Sequence, residues 1–287
     1  MRVLVAKDDA AGYWRFPWLR YKGGCSLVWK PPIVAAGLLL SHPDLRLPFI
    51  QPAKDATAEV YYPLESDGAL SREFAGLHDP DGALAFASQF GLLGLEDVPR
   101  YRGHRKELDA NGEDVNDWLS EAARVGELYE VWDLVSSANE TGLQKLITWT
   151  PQGTPVVVPK AGRPPQGRDG PARAQLKLEQ VVLMAKRFIV KRVNQEMIGM
   201  ASPTLLLDNW GNVRVHNTPT SLLAALWLEF LEFASGARRQ IVCDICGRWM
   251  DVTQHRKDKR VHSSCLEREK KARYRERKKG NGSKKTR

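Results

Sequence analysis

Three cysteines and one histidine near the C-terminus are the residues best suited to chemistry. They are Cys243, Cys246, His262 and Cys265, spaced C-x2-C-x15-H-x2-C. In the reducing cytosol, thiols at this spacing are more often metal ligands than disulfides. Four protein ligands would close a tetrahedral zinc site, which is typical of structural rather than catalytic zinc. His255 competes as the third ligand, and His262 is favoured because it forms a second short pair with Cys265.

Short elements must hold these ligands in place. The first two cysteines lie in a tight turn, and the glycine after them lets the chain leave it. Residues 251–261 suit a short hairpin, and Ser263 or Ser264 can cap a helix, which puts Cys265 in its first turn. Zinc would then join a knuckle to a helix start, as in a treble clef. Trp249 is expected to cover the site as part of a very small core.

Positive charge is concentrated beside this module. The chain has 43 Lys and Arg and 34 Asp and Glu, and its formal net charge is +9. Residues 237–287 hold 18 of the basic and 6 of the acidic residues, which leaves 25 and 28 for residues 1–236. The body is therefore mildly acidic and the tail strongly basic, so an acidic polymer would bind to the tail.

The basic segment after Cys265 predicts a helix without an apolar stripe. Its apolar residues Leu266, Ala272 and Tyr274 make no continuous face, which argues against a membrane-surface or calmodulin-binding helix. The pattern favours a helix that contacts phosphates, and the alternative is a solvated tail that aids solubility. The candidate nucleic-acid contacts are Arg268, Lys271, Arg273, Arg275, Arg277 and Lys278.

Residues 1–236 predict a mainly helical body with short β elements, hence an α+β fold. Apolar residues step by three or four over 115–131, and 217–236 is apolar nearly all round, which predicts a central core helix opening at Asn217 or Thr218. A β-hairpin is expected near 204–215, with Gly211 in its turn. The zinc module with its basic helix spans 237–279, and residues 280–287 are expected to be disordered.

No segment predicts export or membrane insertion. The apolar run at the N-terminus stops after Ala6, and no window reaches 18 uninterrupted apolar residues. A cytoplasmic protein is the expectation.

The C-terminal segment resembles the zinc fingers at the C-terminus of bacterial CGNR-type proteins over the stretch CDICGRWMDVTQHRKDKRVHSSCLEREKKARYRERKK. Such fingers often follow an ABATE-type domain. The segment LLLDNWGNVRVHNTPTSLLAALWLEFLEF looks like what precedes such fingers in bacterial and phage proteins, so the good match covers 205–279. The CGNR tetrapeptide is absent, and His262 stands where relatives usually have Cys. The resemblance implies Zn²⁺ as cofactor and a role in stress-induced regulation of transcription.

Two classes of function compete. The first is a zinc-dependent DNA-binding regulator whose body binds a small molecule or forms a homodimer. The alternative is an RNA-binding protein or a toxin-type nuclease with its catalytic site in the body. Serine-hydrolase, metalloprotease, Walker and dinucleotide-binding motifs are absent, which disfavours an enzyme. The polar cluster Arg102, His104 and Arg105 is the one loop candidate for such a site.

Overall fold

A computed structural model describes residues 16–30, 47–65, 68–101, 112–150, 155–159, 176–207, 213–253 and 259–282. Its α-helices are Leu70–Ala75 (α1), Pro80–Phe90 (α2), Val115–Ser136 (α3), Glu140–Lys145 (α4), Leu178–Glu196 (α5), Leu222–Ala234 (α6) and Ser263–Gly282 (α7). Its strands are Trp18–Lys22 (β1), Cys25–Lys30 (β2), Leu47–Pro52 (β3), Thr57–Tyr61 (β4), Glu113–Asp114 (β5), Ile147–Trp149 (β6), Pro155–Val157 (β7), Ala201–Leu207 (β8), Val213–Pro219 (β9), Gln240–Val242 (β10) and Trp249–Asp251 (β11).

The core forms around α3, which contacts α1, α2, α4, α5 and α6. Its buried face includes Val115, Trp118, Ala122 and Val125, whose spacing of three and four places them on one side of the helix. Helix α6 is buried along its first nine residues, Leu222 to Phe230, because it lies between other helices and has no solvent face there. The predicted core helix is therefore present.

Two predicted helix starts are wrong. The segment Asn217–Pro219 belongs to β9, and α6 begins after Ser221, whose side-chain oxygen accepts from the Ala224 N–H at 3.1 Å. For the first helix, the serine in SREFAGL predicts Ser71 as a possible cap. In the structure Ser71 lies inside α1, is buried, and its hydroxyl is 2.6 Å from the Tyr129 hydroxyl. Strand pairing takes up residues 217–219, and a tertiary contact takes up Ser71, although the local pattern assigns both to helix caps.

Short antiparallel sheets flank the helices. One sheet has the order β2-β3-β5, and β1 pairs with β4, β6 with β7, β8 with β9 and β10 with β11. The β8–β9 pair is the expected hairpin, although its paired residues extend from Ala201↔Pro219 to Leu207↔Val213 and residues 208–212 lie outside the described part. The combination of helices with antiparallel strands confirms the α+β prediction, while the treble clef stays a prediction.

A buried carboxylate fixes the loop after α2 against α3. The Glu113 oxygens accept from the backbone N–H groups of Leu93 and Leu95 and from the Trp118 indole, each at 2.8 Å. These donors would otherwise be buried without partners, which costs about 1–3 kcal/mol for each. Glu113 therefore holds β5, the loop and α3 together.

Among the described residues, no helix is both long and apolar enough to span a bilayer. The C-terminal helix α7 extends to Gly282, whereas the zinc module is predicted to span 237–279.

Candidate metal centre and basic helix

A small hairpin positions the first two cysteines. Strands β10 and β11 pair with Ile241 opposite Met250, and the turn between them carries Cys243 and Cys246. The Gly247 N–H donates to the Cys243 carbonyl at 3.0 Å, and Gly247 has φ +68°, a conformation that glycine adopts without strain. The turn therefore aims both thiols to the same side.

The structure brings the four predicted residues together. The sulfur atoms of Cys243, Cys246 and Cys265 and a ring nitrogen of His262 all lie within 4.8 Å of one another. Cys243, His262 and Cys265 are buried, and Cys246 is half-buried. His255 lies outside the described residues.

These distances suit a tetrahedral metal. Zinc–sulfur bonds of about 2.3 Å and zinc–nitrogen bonds of about 2.0 Å place tetrahedral ligand atoms roughly 3.5–3.8 Å apart. The Cys246 sulfur lies 3.3 Å from Nδ1 of His262, slightly below that range. A metal ion would need only small side-chain adjustments to bind all four atoms.

The histidine is oriented by the backbone. Its Nε2 lies 3.2 Å from the Trp249 carbonyl oxygen, which can only accept a hydrogen bond. Nε2 therefore carries the proton, and Nδ1 keeps its lone pair for the metal. Fixing the tautomer of a ligating histidine through its other nitrogen is a recurrent feature of metal sites.

The thiols have different acidities. Burial raises the pKa of Cys243, but the backbone N–H groups around it outweigh this and lower the pKa to about 6. The backbone N–H of Arg248 lowers the pKa of Cys246, helped by the Arg248 guanidinium. Burial raises the pKa of Cys265, and the adjacent thiols add to that effect. Cys265 is therefore a weaker acid than the other two thiols of the cluster.

Trp249 does not cover the site as predicted. Residues on a strand alternate between faces, so Met250 points into the small core with Cys243, Val252 and Cys265. Trp249 points the other way and is 37% exposed. Its ring lies over a guanidinium that belongs to the helical body.

That guanidinium is Arg72 of α1, which fastens the module to the body. Its central carbon lies 3.8 Å from the ring centroid of Trp249 and 4.2 Å from that of Tyr129. Its Nε donates to Gln240 at 3.2 Å, and its two terminal nitrogens donate to Asp133 at 2.9 and 2.6 Å. Sequence reasoning missed this contact because no local pattern joins residues so distant along the chain.

A buried polar group lies beside the same junction. Glu229 of α6 accepts from the Ser71 N–H at 2.8 Å and from the Gln240 amide at 3.2 Å. Complete burial raises its pKa to about 7, although the Arg238 charge and the Ser71 N–H act in the opposite direction. Arg238 also pairs with Asp251 of β11 at 2.8 Å. The module is thus linked to α6 as well as to α1.

The basic helix projects from the metal cluster. Cys265 is buried in its first turn, whereas residues 266–276 are exposed apart from the half-buried Glu269. Glu269 pairs with Arg273 one turn later. Arg268 donates to the Cys265 sulfur at 3.7 Å, so this candidate nucleic-acid contact also bonds to a residue of the cluster.

The other candidate contacts divide into two groups. Lys271, Arg273 and Arg275 lie on the exposed part of α7. Arg277 and Lys278 are on the same helix, but their side chains fall outside what the structure describes.

A second ionic cluster lies inside the body. Glu121 accepts from the Arg100 Nε at 3.0 Å and from the Tyr101 hydroxyl at 2.7 Å. Arg100 also pairs with Glu196 of α5, so the cluster ties α3 to α5. These carboxylates have cationic and hydroxyl partners, which is typical of a structural network. The predicted loop cluster Arg102, His104 and Arg105 lies outside the described residues.

No protein-family model, curated protein or solved structure matches this chain. The resemblance to CGNR-type fingers therefore stays a prediction, and function has to be argued from the site.

Proposed function

We propose that Cys243, Cys246, His262 and Cys265 hold a structural zinc ion and that the chain is a DNA-binding protein in which α7 contacts phosphates. One observation supports the proposal: the cluster lies at the start of a helix whose residues 266–276 are exposed apart from the half-buried Glu269 and include five Lys or Arg and three Glu.

The donor set favours zinc. Three thiolates and an imidazole are soft and borderline ligands, whereas Mg²⁺ and Ca²⁺ require oxygen atoms. Four protein ligands leave no open position for a reacting water, so the ion would shape the module rather than catalyse a reaction. The small core of Met250 and Val252 is too limited to fold such a segment without the metal.

The helix favours a polyanion as partner. A helix that is polar on all sides gains little from packing and is marginal in isolation. Here the first turn is anchored through Cys265, while Lys270, Lys271 and Arg275 extend into solvent. Within the described part of the chain, these three cations have no hydrogen-bond or ion-pair partner. The phosphates of a nucleic acid would supply one. A role in transcription is supported by the family resemblance of residues 205–279.

The metal is tested by its content per purified chain. We expect about one equivalent of zinc in the parent protein, as four ligands hold one ion, and loss of most of it in Cys243→Ser. Cys25 is the matched control: it lies in β2, far from the cluster in the chain, and Cys25→Ser should keep the metal. A parent protein without stoichiometric zinc would overturn this part of the proposal.

DNA binding is tested by the salt dependence of retention on a random duplex. Each lost phosphate contact reduces the slope of log K against log salt by about 0.9, so Lys271→Ala should flatten it. Lys186→Ala is the control, because it removes the same charge from an exposed position of α5. Equal effects of the two variants, or tighter retention on structured RNA at matched salt, would contradict a DNA contact by α7.

A further inference from the structure

Tyr274 is an exposed aromatic residue in the middle of the basic helix. It is 67% exposed, and its neighbours on α7 from Arg273 to Glu276 are exposed as well. Tyr274 therefore does not pack in the core of the protein. An exposed ring surrounded by cations is a common feature of surfaces that bind nucleic acids.

The cations are arranged symmetrically about this ring. An α-helix turns by about 100° per residue, so Lys270 lies about 40° to one side of Tyr274 and Arg273 about 100° to that side. On the other side Lys271 lies at about 60° and Arg275 at about 100°. Tyr274 therefore lies in the middle of one face of the helix, with positively charged side chains on both sides of it.

The opposite side of the helix has different chemistry. Cys265 lies about 180° from Tyr274, and Ala272 and Glu276 each lie about 160° away. Glu269, which pairs with Arg273, is on this side too. Cys265, Glu269 and Glu276 are therefore behind the helix, whereas Glu267 lies about 20° from Tyr274 around the helix axis and about 10 Å nearer to the cysteine cluster. At the level of Tyr274 itself, the face points away from the cluster.

We propose that this face of α7 enters the major groove of duplex DNA, with Tyr274 toward the base edges and the two cationic flanks toward the two phosphate backbones. The inference rests on the proposed function and specifies the form of nucleic acid and its groove. The major groove of B-DNA is about 12 Å wide and admits a helix about 10–12 Å across.

The two-sided charge distribution distinguishes this geometry from others. A helix lying across a single backbone needs cations on one side only, whereas a helix in a groove has phosphates on both sides. The major groove of A-form RNA is deep and narrow, so side chains of a helix do not reach its floor. At the floor of a DNA groove, a tyrosine ring contacts the thymine methyl group, and its hydroxyl bonds to base-edge acceptors.

The test compares duplexes whose grooves are blocked. The full-length zinc-loaded protein is titrated against a random DNA duplex, against the same duplex containing glucosylated 5-hydroxymethylcytosine, whose sugars fill the major groove, and against a duplex with netropsin in the minor groove. Filling the major groove should weaken binding about tenfold or more, and netropsin should change it by less than about twofold. A duplex RNA of the same length should bind more weakly than the DNA.

The variants separate the ring from the charge. Tyr274→Ala should weaken binding to the open duplex about fivefold without changing the salt slope, because no phosphate contact is lost. The double variant Tyr274→Ala/Ala272→Tyr keeps the composition but moves the ring to the back of the helix, and it should bind as Tyr274→Ala does. Equal zinc content and far-UV circular dichroism show that these exposed substitutions leave the fold intact.

The outcomes distinguish this inference from the proposed function. Equal binding to open and sugar-filled duplexes, or parent-like binding by both Tyr274 variants, overturns the major-groove inference while DNA binding stands. Absence of binding to every DNA duplex at low salt overturns the proposed function itself. Tighter binding to the RNA duplex than to DNA overturns both.

Discussion

Removal of the Arg72 side chain should release the C-terminal module, residues 237–279, from the helical body. Arg72 lies on α1, and its side chain is 7% exposed. Its guanidinium lies over the rings of Trp249 of β11 and Tyr129 of α3, and it donates to Gln240 of β10. Arg72→Ala would remove all of these contacts and leave the module held by the remaining links.

The expected loss follows from the contacts. Each buried cation–π contact contributes about 1 kcal/mol, and the hydrogen bond to Gln240 about another 1 kcal/mol. The ion pair with Asp133 adds little, because the Asp133 side chain is 48% exposed and solvent screens it. The total is about 3 kcal/mol, which corresponds to roughly a hundredfold larger population of the undocked module.

Amide hydrogen exchange by mass spectrometry measures this population locally. Peptides covering 240–251 should exchange about a hundredfold faster in Arg72→Ala, whereas peptides from the centre of α3 should change much less. Zinc content should stay at the parent level, because Arg72 does not contact the ligands. Arg72→Lys keeps the charge but loses the planar stack, so it should lie close to Arg72→Ala.

Asp133→Asn is the matched control, since it removes only the exposed partner of Arg72. It should change the exchange of residues 240–251 by less than about fivefold. Unchanged exchange of that segment in Arg72→Ala would refute the assignment of Arg72 as the docking contact. Equal effects of Asp133→Asn and Arg72→Ala would show instead that the ion pair dominates.

Two buried carboxylates and the metal give further predictions. The raised pKa of Glu229 means that its contribution to stability is complete below about pH 4.5 and is lost as the pH rises through about 7. The free energy of unfolding measured in urea should therefore rise for Glu229→Gln relative to the parent by up to about 3 kcal/mol from pH 5 to pH 8. A difference between variant and parent that does not change with pH would contradict the raised pKa. Glu113→Gln should cost about 2 kcal/mol in the same assay at neutral pH, because its amide places a donor against N–H groups. No loss of stability would contradict these hydrogen bonds. A chelator should reduce the helicity of α7 by circular dichroism while α3 keeps its protection from exchange, and unchanged helicity would show that the metal does not anchor α7.

The Cys/His cluster could be predicted because residues close to each ligand in the chain determine where that ligand lies. Two short ligand pairs need only a tight turn and a helix start, and both are encoded within a few residues of Cys243 and Cys265. The choice of His262 over His255 relied on the same pairing argument, and the structure adds the hydrogen bond to the Trp249 carbonyl that fixes the tautomer.

The sheets of the N-terminal half were not predictable by the same means. Strand β3 contains Pro48 and Pro52, which argue against a strand with two neighbours. Pro48 is the second residue of β3 and Pro52 its last, while Phe49 and Ile50 between them form the pairs with β5. Proline has no N–H to donate, so its effect depends on where it lies relative to the partner strands. Only the structure shows that these two prolines remove few hydrogen bonds between the strands.

The position of Trp249 shows why single residues were harder to assign than elements. Its place next to the cysteine pair predicts a cover for the metal, and the strand β11 does form there. Whether Trp249 or Met250 faces the core depends on the register with β10, and a shift of one residue exchanges the two faces. Arg72, from a distant helix, provides the surface on which the outward ring stacks.

The two interfaces of the module are separable in physical terms. Arg72 docks the module through Trp249 and Gln240 on the hairpin, whereas the Tyr274 face belongs to α7 and lies opposite the candidate metal ligand Cys265. Loss of the docking contact leaves every cation of α7 in place, so the number of phosphates contacted stays the same. Arg72→Ala should therefore keep the salt slope of DNA binding at the parent value while the module exchanges faster. A flattened slope in Arg72→Ala would mean that the body itself contributes phosphate contacts once it is docked.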